Sequence, residues 1–392
     1  MKTIRLPSIT TKSITLLPKP TRPVLRVGTI QQQQNKTLQR SVQAVKRVGT
    51  GNLSSRMFTM AAAHPTSGVS DTRTRPYAQL TQTRRKEQAL YPVETPEPCI
   101  HSIYEPQTGT WQYVVADAST KKAIIIDSVL DYDAATRTIR TSTADALLSL
   151  VAKHRYHIDK IVETHAHADH LTAASYLQHR LSQRQGSTKP NVGIGKRINQ
   201  VQELFGKTYG IAADEYKGVF DELFEDDETF HFGNLTAKVI HLPGHTPDHV
   251  GYQIADNVFC GDTIFHADIG SARCDFPGGN ARSLYASARK LLALPDDVKI
   301  WTGHDYPASL GRREAIPCMT VREHREKNTH LSQHVEEEDF LRLRQQRDAG
   351  LAAPKLLHAS LQMNIRAGRL PRPTAGGKRQ ICLPMQVEGE AW

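Results

Sequence analysis

The sequence predicts an α/β sandwich, in which two mixed β-sheets pack face to face and helices cover the outside. Strand-like runs come first and helices follow in each of two successive halves of the chain, which is typical of a layered α/β domain. Residues 123–126 are continuously apolar, as in a strand covered on both faces. The composition, with 39% hydrophobic and 23% charged residues, excludes a mainly disordered or fibrous chain.

The first half begins with two β-rich runs that a polar Ser-Thr-Lys-Lys segment separates, which predicts a hairpin. Leu147, Leu148 and Val151 then recur at helical spacing. The elements predicted for this half are strands at 111–115 and 123–129, a helix capped by Ser142 or Thr143, a strand at 158–163, a helix at 171–181 and a short strand at 192–195.

The second half contains two further hairpins, because the turn formers Gly233-Asn234 and Asp256-Asn257 each separate two apolar runs. Charged helices close this half. The predicted elements are strands at 229–232, 235–242, 252–254 and 258–260, a helix at 283–294, a strand at 299–302, and helices at 320–331 and 336–351.

The positive charge is concentrated at the N-terminus. Residues 1–70 contain eleven Lys or Arg and no acidic residue, whereas the rest of the chain has 39 basic and 40 acidic residues. An acid-free, Ser-rich basic leader is typical of a mitochondrial transit peptide, so we expect import into the matrix; a disordered basic tail is the alternative. A start at Met57 or Met60 would give a cytosolic form. Because no folded face carries the excess charge, we expect no nucleic-acid partner.

Four segments follow from this charge distribution and from the predicted elements. They are a transit-peptide-like leader at 1–70, a linker at 71–94 with order beginning near Tyr91, a folded domain at 95–310, and a C-terminal helical extension and tail at 311–392. No run of about 18 uncharged apolar residues exists, so we expect no membrane span. The five cysteines are scattered, which argues against a disulfide framework and favours a reducing compartment. The sequence leaves a homodimer open.

The strongest chemical signal is the segment Thr-His-Ala-His-Ala-Asp-His at residues 164–170, which we call the histidine loop. It directly follows a predicted strand. His165 and His167 alternate, so in extended backbone they point to the same side, and Asp169 and His170 reach that side at the turn into the next helix. Imidazoles and a carboxylate suit Zn, Fe or Mn, so the histidine loop predicts a metal site.

Three more polar residues stand at predicted strand exits. His245 follows a Pro-Gly turn, Asp262 ends an apolar strand, and His304 follows Gly303 after the last strand of the domain. A buried, unpaired carboxylate such as Asp262 is costly, and a metal ion removes that cost. His249 is expected either beside the site or on the surface, and the surface position is favoured.

These motifs together resemble the metallo-β-lactamase superfamily: His-x-His-x-Asp-His, then Gly-His-Thr, Gly-Asp and Gly-His. The resemblance covers about residues 95–310 and implies an αββα sandwich with the metal at one sheet edge. Residues 271–279 and 303–306 are similar to those of persulfide dioxygenases, also called sulfur dioxygenases. Residues 364–371 resemble the C-terminal end of β-lactamase-like hydrolases.

The resemblance to persulfide dioxygenases implies one Fe(II) per chain, with His165, His245 and Asp262 as its ligands. It implies that dioxygen and a small thiol persulfide, glutathione persulfide, are converted to sulfite and glutathione. His304 and Tyr306 are the candidate proton donors.

Arg273 and Asp275 are expected beside the glutathione moiety, because a guanidinium fork suits the carboxylates of glutathione. An Arg273–Asp275 ion pair that only shapes the loop is the alternative. Cys274 is expected to be a packed side chain rather than a reactive thiol.

The main alternative is a binuclear hydrolase of glutathione thiolesters, similar to hydroxyacylglutathione hydrolase, with two Zn, Fe or Mn ions. The ligand types alone do not separate the two enzymes. In the binuclear arrangement the first ion takes His165, His167 and His245, the second takes Asp169, His170 and His304, and Asp262 bridges them. A non-catalytic module with a structural metal is a further rival, which the loss of a ligand would favour; no ligand is lost.

Overall fold

The structure is a computed structural model that describes residues 96–186, 188–307, 311, 314–385 and 387–388. The predicted leader at 1–70, the linker at 71–94 and the onset of order near Tyr91 lie outside these residues. In the described part of the chain, no helix has the length and apolar character needed to cross a membrane.

The strands alternate with helices along the chain. The strands are β1 (Cys99–Glu105), β2 (Thr110–Ala116), β3 (Lys122–Ile126), β4 (Val129–Asp133), β5 (Thr138–Arg140), β6 (His157–Val162), β7 (Leu171–Thr172), β8 (Asn191–Gly195), β9 (Glu222–Phe224), β10 (Thr229–Phe232), β11 (Leu235–His241), β12 (Val250–Ile254), β13 (Asn257–Phe259), β14 (Lys299–Trp301) and β15 (Cys318–Thr320). The helices are α1 (Ser142–His154), α2 (Ala174–Arg184), α3 (Ile198–Thr208), α4 (Ala281–Leu292), α5 (Val321–Lys327), α6 (Glu337–Asp348) and α7 (Leu357–Asn364).

The strands form two mixed six-stranded sheets and one small sheet. The first sheet has the order β1-β2-β3-β6-β8-β9, the second has the order β10-β11-β12-β13-β14-β15, and β5-β4-β7 form the small one. Strands β3, β6, β8 and β9 are parallel neighbours, and so are β13 and β14. The carboxyl ends of parallel strands meet at one edge of a sheet, and this edge is where α/β proteins place their sites.

The alternation of side chains in β2 shows why the sheets pack into a sandwich. Trp111, Tyr113 and Val115 belong to the core between the two sheets. Val114 and Ala116, on the opposite face, join the core that α1, α2, α3 and α7 cover. A third core lies under α4, α5 and α6 on the far side of the second sheet. The predicted αββα architecture is therefore confirmed.

Several element boundaries differ from the prediction because tertiary contacts override local patterns. Residues 171–172, predicted to begin a helix, pair with β4 as strand β7, and α2 begins only at Ala174. The helix predicted at 320–331 starts at a capping box on Thr320 but ends at Lys327. It ends there because the Asn328 side chain accepts hydrogen bonds from the backbone of His330 and Leu331. Strands β1, β9 and β15, the small sheet, and helices α3 and α7 were not predicted.

Candidate metal centre

Asp127 directly follows β3 and organises the histidine loop. Its carboxylate accepts two hydrogen bonds from Thr164, one from the backbone N–H at 2.7 Å and one from the hydroxyl at 2.9 Å. The same carboxylate lies 3.1 Å from Nε2 of His167. Because β3 and β6 are parallel neighbours, their ends lie side by side. Asp127 was not among the predicted site residues, although its place after a buried apolar strand is the signal that identified Asp262.

The hydrogen bonds of His165 and His245 decide which ring nitrogen is available to a metal. The Thr164 hydroxyl donates its proton to Asp127, so it accepts from Nδ1 of His165 at 3.0 Å. Nδ1 of His245 lies 2.8 Å from the backbone oxygen of Arg273, which can only accept. Both rings therefore carry their proton on Nδ1 and present Nε2 as a ligand. Burial also lowers the pKa of His165 well below its usual value, which keeps the ring neutral.

His165, His245 and Asp262 form a group whose ligand atoms all lie within 4.8 Å of one another. Oδ2 of Asp262 is 3.6 Å from Nε2 of His245 and 4.0 Å from Nε2 of His165. Among the described residues, Nε2 of His165 and Oδ1 of Asp262 are buried without a hydrogen-bond partner. Buried polar atoms without partners are costly unless a ligand satisfies them, so this group fits a bound cation.

His249 lies behind this group, and its favoured prediction as a surface residue is wrong. The side chain is buried, and its Nε2 accepts the backbone N–H of Asp262 at 2.9 Å. Its ring stacks on that of His165 with a centroid distance of 4.7 Å. Burial lowers the pKa of His249 to about 3, so the ring stays neutral and able to accept. His249 therefore supports both an imidazole and the carboxylate of the metal group.

A second group of ligand atoms lies beside the first and consists of His167, Asp169 and His170. Nε2 of His167 faces Asp127 at 3.1 Å and Glu163 at 3.2 Å, and Nδ1 of His170 is 2.9 Å from Asp169. The opposite ring nitrogens, Nδ1 of His167 and Nε2 of His170, are buried without a partner in the described chain. The second group therefore also fits a cation.

His304 connects the two groups, and Tyr306 lies against it. Nε2 of His304 is 3.4 Å from Oδ2 of Asp169 and 3.4 Å from Oδ2 of Asp262. Burial would lower the pKa of His304, but the two carboxylates raise it to about 9. The Tyr306 ring stacks on His304 at 5.6 Å. Burial and the same carboxylates raise the pKa of Tyr306 well above its usual value, so its hydroxyl stays protonated.

A pocket of about 630 Å³ opens beside the metal-binding residues. His245, Asp262 and His304 lie on its wall, so a ligand in the pocket reaches the metal group directly. The C-terminal extension supplies part of the wall with the cationic residues Arg347 and Lys355. Arg347 donates to Nε2 of His330 at 2.9 Å. Lys355 forms no ion pair with any residue in the described ranges.

Arg273 also lines the pocket, but its fork faces Asp275. Nε of Arg273 donates to Oδ1 of Asp275, and NH2 donates to Oδ2. NH1 donates to the backbone oxygen of Ala352 at 2.9 Å. The ion pair between Arg273 and Asp275, the predicted alternative to substrate contact, is therefore present in the structure. Burial raises the pKa of the neighbouring Cys274 thiol to about 12, in agreement with a packed side chain rather than a reactive thiolate.

The family model of the metallo-beta-lactamase superfamily matches residues 106–304. The Beta-lactamase hydrolase-like protein of Agrobacterium fabrum is 42% identical over 297 residues, which are 75% of this chain and 67% of that protein. Glyoxylase B2 of Dictyostelium discoideum is 40% identical over 72% of this chain and 94% of its own length. The mitochondrial persulfide dioxygenase ETHE1 of Homo sapiens is 28% identical over 70% of this chain and 91% of its own length.

Among solved structures, ETHE1 from Myxococcus xanthus superposes with a TM-score of 0.54 and 24% sequence identity. The match covers 69% of this chain and 100% of that one. At this identity the likeness concerns the fold alone, and it agrees with the two layers of sheet and helix described above.

Proposed function

The chain belongs to the metallo-beta-lactamase superfamily. Within this superfamily, we propose that it is an Fe(II)-dependent dioxygenase of glutathione persulfide, since its relative ETHE1 is named a persulfide dioxygenase. The reaction consumes one persulfide, one dioxygen and one water, and it yields glutathione and sulfite. The observation that supports this proposal best is the group of His165, His245 and Asp262. Two imidazoles and one carboxylate that converge from one side, next to an open pocket, are typical of non-haem Fe(II) oxygenases.

An iron ion held by these three residues would supply the redox chemistry that dioxygen requires. The protein's own residues bind and orient the persulfide. The Tyr306 hydroxyl, which stays protonated at the pocket wall, is suited to donate a hydrogen bond to the substrate or to leaving glutathione. His304 holds the two carboxylates, Asp169 and Asp262, in place through Nε2.

Substrate recognition depends on the cationic wall of the pocket. Glutathione carries two carboxylates, and a carboxylate binds best to a cation whose hydrogen bonds are not already satisfied by an acid. Arg273 must release Asp275 before it can bind one. Arg347 and Lys355 have no such acidic partner in the described residues, so we propose them as the principal contacts of the glutathione carboxylates.

A binuclear glutathione thiolester hydrolase is the second candidate. It is favoured by the second ligand group, in which His167 and His170 each present a buried nitrogen without a partner among the described residues. A relative with 40% identity that is named Glyoxylase B2 agrees with it. Two bridged ions would activate a water molecule, which is what thiolester cleavage needs.

Metal analysis of anaerobically purified protein, combined with two activity assays, separates the candidates. We expect about one iron per chain, oxygen uptake with glutathione persulfide, and sulfite as product. Two metal ions per chain, with cleavage of a glutathione thiolester and no oxygen uptake, would establish the hydrolase instead. Removal of iron by a chelator and its restoration under anaerobic conditions serve as the control.

We also propose that the chain is imported into the mitochondrial matrix. The support is the leader, with eleven basic and no acidic residues before Asp71. The N-terminus of the protein isolated from mitochondria should lie after most of residues 1–60. An intact Met1 on protein recovered from the cytosol would contradict this proposal.

A further inference from the structure

The C-terminal extension reaches back to the histidine loop through one buried side chain, Asn364, at the end of α7. Its Nδ2 donates to the backbone oxygens of His167 and His170, both at 2.8 Å. Its Oδ1 accepts the backbone N–H of Thr172 at 2.8 Å. One amide thus connects three backbone groups of residues 167–172, the segment that carries the second group of metal-binding residues.

These contacts define the orientation of the amide without ambiguity. A flipped Asn364 would place its oxygen against two carbonyl oxygens and its NH₂ group against an N–H. The residue is buried, so water does not substitute easily for the lost hydrogen bonds. The amide therefore holds the histidine loop in one conformation.

The residues directly after Asn364 are fixed by contacts with other parts of the chain. The side chain of Gln202 donates to the backbone oxygen of Ile365 at 2.9 Å, and Arg366 pairs with Glu215 at 3.1 Å. Gly368, with φ of 75°, runs so close to strand β7, which follows the histidine loop, that an added Cβ would lie 2.8 Å from the backbone oxygen of Thr172. The segment around Asn364 is therefore a fixed support rather than a loosely attached tail.

We propose that Asn364 is a positioning residue of the metal centre, which sets metal affinity through the backbone of the histidine loop. The rings of His165 and His167 lie 4.1 Å apart on this loop, so a displacement at His167 also moves a residue of the first group. Partners that orient metal ligands typically contribute ten- to a hundredfold to metal affinity. The proposal concerns the metal centre and holds for either candidate activity.

The test compares Asn364→Leu with Gln362→Leu in the full-length protein. Gln362 is a matched control, because it is a buried amide on the same helix that donates to two carbonyl oxygens and accepts one N–H. Its contacts go to His358 and to Cys382 in the tail, and not to the histidine loop. Each variant is titrated with Co(II) in competition with a chelator, and amide hydrogen exchange is measured for the peptide that contains residues 164–170.

We expect Asn364→Leu to raise the Co(II) dissociation constant about ten- to a hundredfold and to accelerate exchange in the histidine loop. Both variants lose a buried hydrogen-bonding amide, so Gln362→Leu should lower the melting temperature about as much as Asn364→Leu does. Its Co(II) affinity should nevertheless stay within about twofold of the wild type. If Asn364→Leu does not fold, Asn364→Ser keeps a polar group that is too short to reach both carbonyl oxygens.

Equal Co(II) affinity in the wild type and the Asn364 variants would overturn the proposal. So would an equal loss of affinity in the Gln362 variant, since that loss would come from general destabilisation. Neither readout uses a substrate, so failure of the proposed dioxygenase activity would leave this inference standing, and the reverse also holds.

Discussion

Replacement of His249 by leucine should weaken metal binding although His249 is not among the predicted ligands. Leucine removes the acceptor of the Asp262 backbone N–H, which Nε2 of His249 now binds at 2.9 Å. It also removes the ring that stacks on His165. Asp262 and His165 both belong to the first group of metal-binding residues, so the change acts on two of its three members.

The expected loss of stability follows from the backbone N–H of Asp262, which is buried and would lose its acceptor. A buried donor that loses its partner costs about 1–3 kcal/mol, so the free energy of unfolding of the metal-free His249→Leu variant should fall by about that amount. Asp262 gains freedom to move, and the Co(II) dissociation constant should rise about ten- to a hundredfold. His249→Gln retains an acceptor at a similar distance from the backbone and should recover most of the metal affinity.

The assay is a Co(II) titration against a chelator, with urea unfolding of the metal-free proteins as the measure of stability. His324→Leu is the matched control, because His324 is also buried but lies in the C-terminal extension. It should lose stability and keep its metal affinity. Unchanged affinity in His249→Leu, or no recovery in His249→Gln, would refute the positioning role.

Three further outcomes are expected. His165→Ala and Asp262→Ala should lose iron and oxygen uptake together, whereas His167→Ala should keep much of its iron, as atomic absorption would show; equal loss in all three variants would indicate the binuclear arrangement. Arg347→Gln should raise KM for glutathione persulfide roughly tenfold but change KM little for a persulfide without carboxylates, and an equal rise with both would contradict a recognition role. Burial lowers the pKa of His324 to about 4, whereas the same imidazole in the unfolded chain has a pKa near 6.5. As the pH falls below 6.5, the unfolded chain therefore binds a proton that the folded protein binds only near pH 4, and the free energy of unfolding declines. This residue's contribution to stability is therefore intact above pH 6.5 and declines toward pH 4; it amounts to about 2 kcal/mol between pH 7 and pH 5, and urea unfolding of His324→Leu should show a correspondingly smaller decline.

The C-terminal extension contacts both the pocket wall and the histidine loop. Arg344 donates to the backbone oxygens of Ser271 and Ala272, which precede Arg273 in the pocket wall. The side chain of Asn364 donates to backbone oxygens of the histidine loop. The extension therefore supports both loops, and its removal should affect metal and substrate binding together.

The sequence by itself determined the sandwich and the residues that converge at its edge. Strand periodicity, turn residues and helix caps are local signals, and Gly-His or Gly-Asp at a strand exit can be recognised without knowing its neighbours. The histidine loop, His245, Asp262 and His304 were recognised from such local signals, whereas the choice of His165, His245 and Asp262 as iron ligands came from the family resemblance. The structure brings these three residues within 4.8 Å of one another. Their actual role as ligands stays a prediction.

The tertiary structure alone decided how these residues are held. His249 and Asp262 are joined by a hydrogen bond that no local pattern indicates, and Asn364 contacts His170 across 194 positions of sequence. Likewise, NH1 of Arg273 donates to the backbone oxygen of Ala352, 79 positions further along the chain. Such contacts depend on where distant segments meet, because a buried polar atom needs a hydrogen-bond partner and only the fold determines which group lies beside it.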